Sequence, residues 1–242
     1  AKPFGTMGGT PALLVNDAGK GKAVLLNVGA GAYGFLLNRN ALGTGRAAFG
    51  KLFELAGAKP RFRVTAGGKD IPGVELAVFK RDRAEYLTVE KRSFEFEEYP
   101  LKAEIVLDGK YYVADMRSGK SLGQTDRIPV QLEGLGCHVY SLLPYKVAGI
   151  EVNAPKIVRR GEDLKLEIAI KTDAPPAPHV VRVEAAAPDG SRPHEVRKLD
   201  TQNGKAVCVL PIAFNEQTGA WTVTATDVSS GAAATAKVRI GE

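Results

Sequence analysis

The feature that most constrains this chain is an alternation. Leu164, Leu166, Ile168 and Ile170 are interleaved with Lys165, Glu167, Ala169 and Lys171. A two-residue period places the four apolar side chains on one face of an extended strand and the others on the opposite face, which predicts a half-buried antiparallel strand. Val181 and Val183 against Arg182 and Glu184 repeat the pattern, as do Trp221, Val223 and Ala225 against Thr222, Thr224 and Thr226. With further runs at 149–153, 206–211 and 234–240, the last ninety or so residues read as an immunoglobulin-like β-sandwich. Pro188-Asp189-Gly190 supplies a turn, since proline fixes φ and glycine tolerates a positive one. Trp221 is expected in the core rather than on a ligand platform.

The middle of the chain is also strand-like. Runs at 61–65, 74–80, 85–90, 102–107 and 139–143 are rich in β-branched or aromatic residues, and Gly67-Gly68, Asp108-Gly109 and Ser118-Gly119 are the expected turns between them. Short strands at such spacing predict a second β-sandwich, closed by Pro144-Tyr145. Before residue 60 the style changes. Runs at 11–15 and 22–28 flank a turn-rich segment and predict a β-hairpin. Phe49, Leu52, Phe53 and Ala56 fall at helical spacing and predict a helix over 44–56, with Thr44 as its cap and Gly57 and Pro60 ending it. Two strands and a helix bury too little to stand alone, so this segment is expected to lean on something else. The fold class is therefore mainly β: a hairpin and helix resembling the remnant of an α/β domain (1–59), a β-sandwich (60–147) and an immunoglobulin-like sandwich (148–242). Beginning at Ala1 rather than Met, the chain reads as having a processed or truncated start.

A formal net charge of +6 invites a nucleic-acid reading. However, Lys80, Arg81, Arg83, Lys91 and Arg92 are interrupted by Asp82, Glu85 and Glu90, which is the pattern of a solvated strand face. No nucleic-acid partner is expected, and no run of about 18 apolar residues predicts a membrane span. Cys137 and Cys208 are far apart and read as buried free thiols rather than a disulfide or zinc framework.

Candidate chemistry is sparse. Residues 29–34 match the spacing of a dinucleotide loop, but ten residues separate the last glycine from the predicted helix, and Glu54, at the distance of the ribose-binding acid, falls inside that helix. A strand-terminating loop fits better. Gly43-Thr44-Gly45 lacks the lysine of a phosphate loop. His179 and His194, fifteen residues apart, could meet across a hairpin, but no third ligand accompanies them, and His138 stands beside Cys137 at a strand start. No Gly-x-Ser-x-Gly elbow is present. Glu95, Glu97 and Glu98 between Phe94, Phe96 and Tyr99 read as the polar half of a strand rather than paired catalytic carboxylates. The sequence thus points to no catalytic residue, cofactor or metal. Tyr111, Tyr112 and Asp115 are a weak candidate for a sugar-contacting surface, since aromatic faces beside polar groups can stack on carbohydrate.

Three stretches resemble a known family. Gly19-Lys20-Gly21-Lys22 leading into Ala23-Val24-Leu25-Leu26-Asn27, then Tyr33, Arg39 and the predicted helix, resembles the end of the amidotransferase-like (trimerisation) domain of bacterial β-galactosidase-type glycoside hydrolases. Tyr112-Val113-Ala114-Asp115 through Gly119, followed by Val139-Tyr140-Ser141-Leu142-Leu143-Pro144-Tyr145, is similar to the small C-terminal sandwich of such enzymes. Ala187-Pro188-Asp189-Gly190, Pro211-Ile212-Ala213-Phe214-Asn215 and Gly219-Ala220-Trp221 resemble a terminal immunoglobulin-like module. The family's catalytic glutamates lie on a (β/α)₈ barrel, and no such repeat occurs here. The resemblance implies a non-catalytic accessory region serving packing, spacing or assembly. Its partners would be the parent's catalytic barrel, possible self-association and, under an alternative carbohydrate-binding or adhesion role, a polysaccharide. It further implies a secreted, periplasmic or cell-surface location.

Overall fold

A computed structural model describes residues 1–27, 29, 31, 45–71, 73–91, 100–134 and 136–242. Tyr33, Arg39, Thr44, Arg92, Phe94, Glu95, Phe96, Glu97, Glu98 and Tyr99 lie outside the described residues, as do most of the 29–34 loop and the side chain of Phe49. The protein is mainly β, with antiparallel sheets dominating. The chain divides into two compact units: Ala1–Glu75, Glu90–Asp108 and Pro129–Gly136 in one, and Leu76–Val89, Gly109–Ile128 and Cys137–Glu242 in the other. No helix among the described residues is long and apolar enough to cross a membrane.

In the first unit, β1 (Lys2–Met7), β2 (Thr10–Ala18) and β3 (Gly21–Leu26) form an antiparallel meander. The expected hairpin is present, but its turn is tighter than the turn-rich segment suggests. Asn16, Asp17 and Ala18 pair with Ala23, Lys22 and Gly21, so only two residues reverse the chain. β1 had no periodic signal and is held by its ladder to β2. The helix α1 occupies Gly45–Leu55 and ends as expected, with the Gly57 N–H bonded to the Glu54 carbonyl at 2.9 Å. Phe53, expected on its apolar stripe, is exposed. Beyond it, β4 (Arg63–Ala66) pairs with β5 (Lys69–Asp70) and with the first half of β8 (Leu101–Asp115). Phe62, Val64, Ile105 and Leu132 are buried there.

Asp108-Gly109 does not turn. Val106 is paired to Arg63 on one side of the dipeptide, and Tyr112 through Asp115 are paired to β10 on the other, so the ladder holds β8 extended through it. Turn propensity is a local preference that strand pairing overrides. β9 (Lys120–Leu132), which the sequence left unassigned, follows the Ser118-Gly119 turn and pairs with β8.

In the second unit, the later half of β8 pairs with β10 (Cys137–Leu143), which is followed by β7 (Ala84–Lys91) and β6 (Val74–Arg81). The same unit contains a sandwich. One sheet has the order β11-β13-β16, from Val147–Asn153, Asp163–Thr172 and Lys205–Pro211. The other has the order β12-β18-β17-β14-β15, from Ile157–Arg159, Ala233–Gly241, Gly219–Asp227, Val180–Ala186 and Arg197–Asp200. The predicted alternation holds residue by residue: Leu164, Leu166, Ile168 and Ile170 face Val181, Val183, Val223, Val238 and Ile240 in one core, with Trp221 fully buried among them. The short β12 and β15 carry too few residues for a periodic signal.

Candidate functional site

The alternation of β17 leads to the most unusual group in the molecule. Trp221, Val223 and Ala225 point inward, and the next residue of that parity is Asp227, which is 0% exposed. On the neighbouring strand Val181 and Val183 point inward, and the residue of the same parity just ahead of the strand is His179, also 0% exposed. Val181 lies opposite Asp227 in the β14–β17 ladder, so the register brings the two polar residues to the same end of the sheet. A carboxylate removed from water must be paired and hydrogen-bonded, and the His179 ring supplies the bond: Nδ1 stands 2.8 Å from Asp227 Oδ1.

The other side of that ring meets Tyr145, 1% exposed, whose hydroxyl is 2.8 Å from His179 Nε2. The Ala177 N–H donates to the same hydroxyl oxygen at 2.9 Å. A tyrosine hydroxyl has one proton to give. The arrangement that pairs every group has the Tyr145 O–H donating to Nε2, which leaves the imidazole proton on Nδ1, donating to Asp227. Burial pushes the Tyr145 hydroxyl up to about 12, so it keeps that proton in neutral solution. The His179 backbone N–H is also met, by Thr201 Oγ1 at 2.9 Å.

From Asp227 the chain of bonds continues into a turn. Its carboxylate accepts from the Ser229 N–H at 3.3 Å and from the Ser230 hydroxyl. The Gly231 N–H closes back on the Asp227 carbonyl at 2.9 Å. Folded this way, the turn presents Ser229 to the strands of residues 76–89 and 137–145. Ser229 Oγ lies 3.1 Å from the Tyr86 hydroxyl, and its carbonyl accepts from the buried Ser141 hydroxyl. The backbone approach is close: a Cβ on Gly231 would stand 1.9 Å from the Gly119 carbonyl oxygen. Apolar contact completes the seam, with Ala84, Leu143, Tyr145 and Ala177 in one buried cluster. Arg81 pairs with Asp200 at 3.0 Å, and Arg83 donates to the Pro175 carbonyl at 3.0 Å.

A tyrosine–histidine–aspartate series has the connectivity of a proton relay, but its three members are at most 1% exposed. A substrate atom has no path to them. The arrangement can hold two segments together.

Beside this seam lies an open pocket of about 490 Å³, lined by Tyr112, Gln124, Lys146, Val147, Ser229 and Ser230 among others. Of the three candidate sugar-contact residues, the structure brings Tyr112 to this pocket. Tyr111 is its half-buried neighbour on β8. Asp115 is engaged locally: its carboxylate accepts from the Arg117 and Ser118 N–H groups at 2.9 and 3.4 Å. Burial raises the Asp115 carboxyl, but those bonds outweigh it and hold the group below its ordinary value.

His179 and His194 do not share a site. His194 packs on Trp221 with ring centroids 5.8 Å apart, and its Nε2 lies 3.1 Å from Glu216 Oε1. His138 stacks on Tyr140. Among the described residues no group of three or more His, Cys, Asp or Glu is placed to hold a metal. Both cysteines are free; Cys208 is buried and burial raises its thiol, whereas Cys137 is only half-buried, short of the full burial expected.

Sequence alone gives Tyr145 only as the close of the middle strand region and assigns Asp227 no role. The available signal was parity: continuing two inward-facing rows by one step reaches Asp227 and His179.

No protein-family model matches the chain, and no curated protein matches it. Several solved structures match parts of the chain. The CARDB domain of the PF1109 protein from Pyrococcus furiosus, in complex with di-metal ions, is 15% identical over 40% of this chain and 89% of that one, with a TM-score of 0.30. A β-glucosidase from Listeria innocua in complex with glucose is 19% identical over 47% of this chain, with a TM-score of 0.31. An FMN-binding β-glucuronidase from Facaelibacterium prausnitzii L2-6 is 11% identical over 75% of this chain, with a TM-score of 0.28. The chain spans 18% of the β-glucosidase and 40% of the β-glucuronidase. At such TM-scores the likenesses carry no argument about function.

Proposed function

We propose that the chain is a non-catalytic accessory region of a larger glycoside-hydrolase-like protein, and that its second unit, with an immunoglobulin-like module, acts as a spacer of fixed internal geometry. The observation that carries the reading is the sealed Tyr145–His179–Asp227 series. Buried polar groups are costly unless every one is paired, and within the second unit they bond the strands of residues 76–89 and 137–145 to the sandwich of residues 147–242. A flexible tether would need none of them. The exposed apolar side chains of the first unit, Phe4, Leu25 and Phe53, suit a segment that packs against the parent polypeptide. A secreted, periplasmic or cell-surface location belongs to this reading, on the resemblance of the sequence to bacterial glycoside hydrolases.

The test is direct. Purified chain is incubated with chromogenic β-galactoside and β-glucoside, and no hydrolysis above the blank is expected; turnover that scales with protein concentration would refute the reading. The spacer role is tested by small-angle scattering of the chain and of Asp227→Ala. If the series holds the second unit rigid, the distance distribution broadens in the variant, whereas identical distributions for the two proteins would refute the spacer role.

A further inference from the structure

The two sheets of the C-terminal sandwich have different outer faces. On the five-stranded sheet, the residues of outward parity on β17 are Thr222, Thr224 and Thr226, joined by Thr235 across the β17–β18 ladder. Cations stand on both flanks of this threonine field. Lys237 is paired with Thr222, and Arg239 follows it on β18. On the far side Arg182 is paired with Thr226 and, across the next ladder, with Lys198. By strand geometry the two cation pairs are separated by about 13 Å along the strands and about 10 Å across them.

The face is positive in balance. Lys198, Lys237 and Arg239 have no ion-pair partner among the described residues. Of the carboxylates on this side, Glu184 is already shared by Arg182 and Arg192 at 3.0 and 2.9 Å, and Asp200 is met by Arg81. No aromatic ring projects among these outward positions. Aromatic rings stack on the apolar faces of sugars and on unstacked bases, and this face offers neither a stacking surface.

We propose that the outer face of β18-β17-β14-β15 binds an acidic polysaccharide, a chain of hexuronate sugars. The cations meet its carboxylates, and the threonine hydroxyls between them exchange hydrogen bonds with its sugar hydroxyls. Charge complementarity selects the occupant, and the row of hydroxyls along β17 suits an extended polymer that lies along it. This goes beyond the spacer role and is independent of it.

The probe is polygalacturonate, titrated into the full chain at low and moderate salt, with dextran as the neutral polymer and oligo-dT as a polyanion of another class. Binding to polygalacturonate that weakens with salt, and none to dextran, is expected. Lys237→Glu/Arg239→Glu should weaken it by about tenfold or more, because charge complementarity is lost at the contact. Lys165→Glu/Lys205→Glu makes the same change in net charge on the three-stranded sheet and should leave affinity within about twofold. Thermal melts report whether each variant folds, and Lys237→Gln/Arg239→Gln replaces the reversal if that one does not. Absence of binding at low salt, an equal loss in both variants, or oligo-dT binding as tight as polygalacturonate would each overturn the proposal.

Discussion

The three-stranded meander at the start of the chain and the sandwich at its end are both antiparallel and both rich in valine and leucine, yet they use them differently. In the sandwich, each inward row of one sheet meets an inward row of the other, and Leu164, Leu166, Val181, Trp221 and Val223 are at most 1% exposed. In the meander no described side chain reaches full burial, and Leu25 is 60% exposed. Fully burying a leucine contributes about 1.5–3 kcal/mol relative to leaving it in water, a gain the sandwich realises and the meander leaves uncollected. Apolar content does not close a fold by itself. Closure requires a second apolar face of matching period, and a closed interior is what then makes a buried aspartate either costly or, once paired, specific.

The contrast can be broken at its deepest point first. Asp227→Ala removes the carboxylate that answers His179, Ser229 and Ser230, leaves their buried donors unmet, and is expected to cost about 3 kcal/mol in urea unfolding; a loss below about 1 kcal/mol would mean the polar series is incidental to stability. Gly231→Ala adds a Cβ where the Gly119 carbonyl stands, at a residue with φ +74°, and should cost at least about 2 kcal/mol by the same measure. Tyr145→Phe leaves the Ala177 N–H and His179 Nε2 without their partner and should cost about 1–3 kcal/mol.

The same tyrosine gives a pH signature. Its proton is held to about 12 in the folded chain against 10.0 ordinarily, through burial. The folded state therefore binds more protons than the unfolded one between these values, so stability is complete below pH 10 and falls as pH rises toward 12. Tyr140, also raised to about 12 by burial, falls in the same window, and Tyr145→Phe should reduce the slope there without abolishing it. At the other end of the scale, Leu25→Ser in the meander should change stability by no more than about 0.5 kcal/mol, and a larger loss would show that this face is covered after all.

Much of the fold was legible because alternation is a direct record of which face is buried. The strands around Leu164, Val181 and Trp221 needed no other information. β12 and β15, at three and four residues, are too short to show a period and exist through their ladders to β18 and β14. Asp108-Gly109 carries a strong turn signal that pairing on both sides defeats. At the site, Tyr112 was marked for its aromatic face, but Tyr145, His179 and Asp227 were not linked. They lie 34 and 48 residues apart in sequence, and no local spacing relates them.

By itself, then, the sequence determined the β character of the chain, the inward and outward rows of its longer strands and the burial of Trp221, because each follows from the geometry of an extended backbone. The tertiary structure alone decided the pairing order of those strands and the register that sets Asp227 beside His179. Only the folded chain could carry Tyr145 from the end of one strand system under the next. Those outcomes depend on contacts between distant segments, whose energies no short window of residues contains.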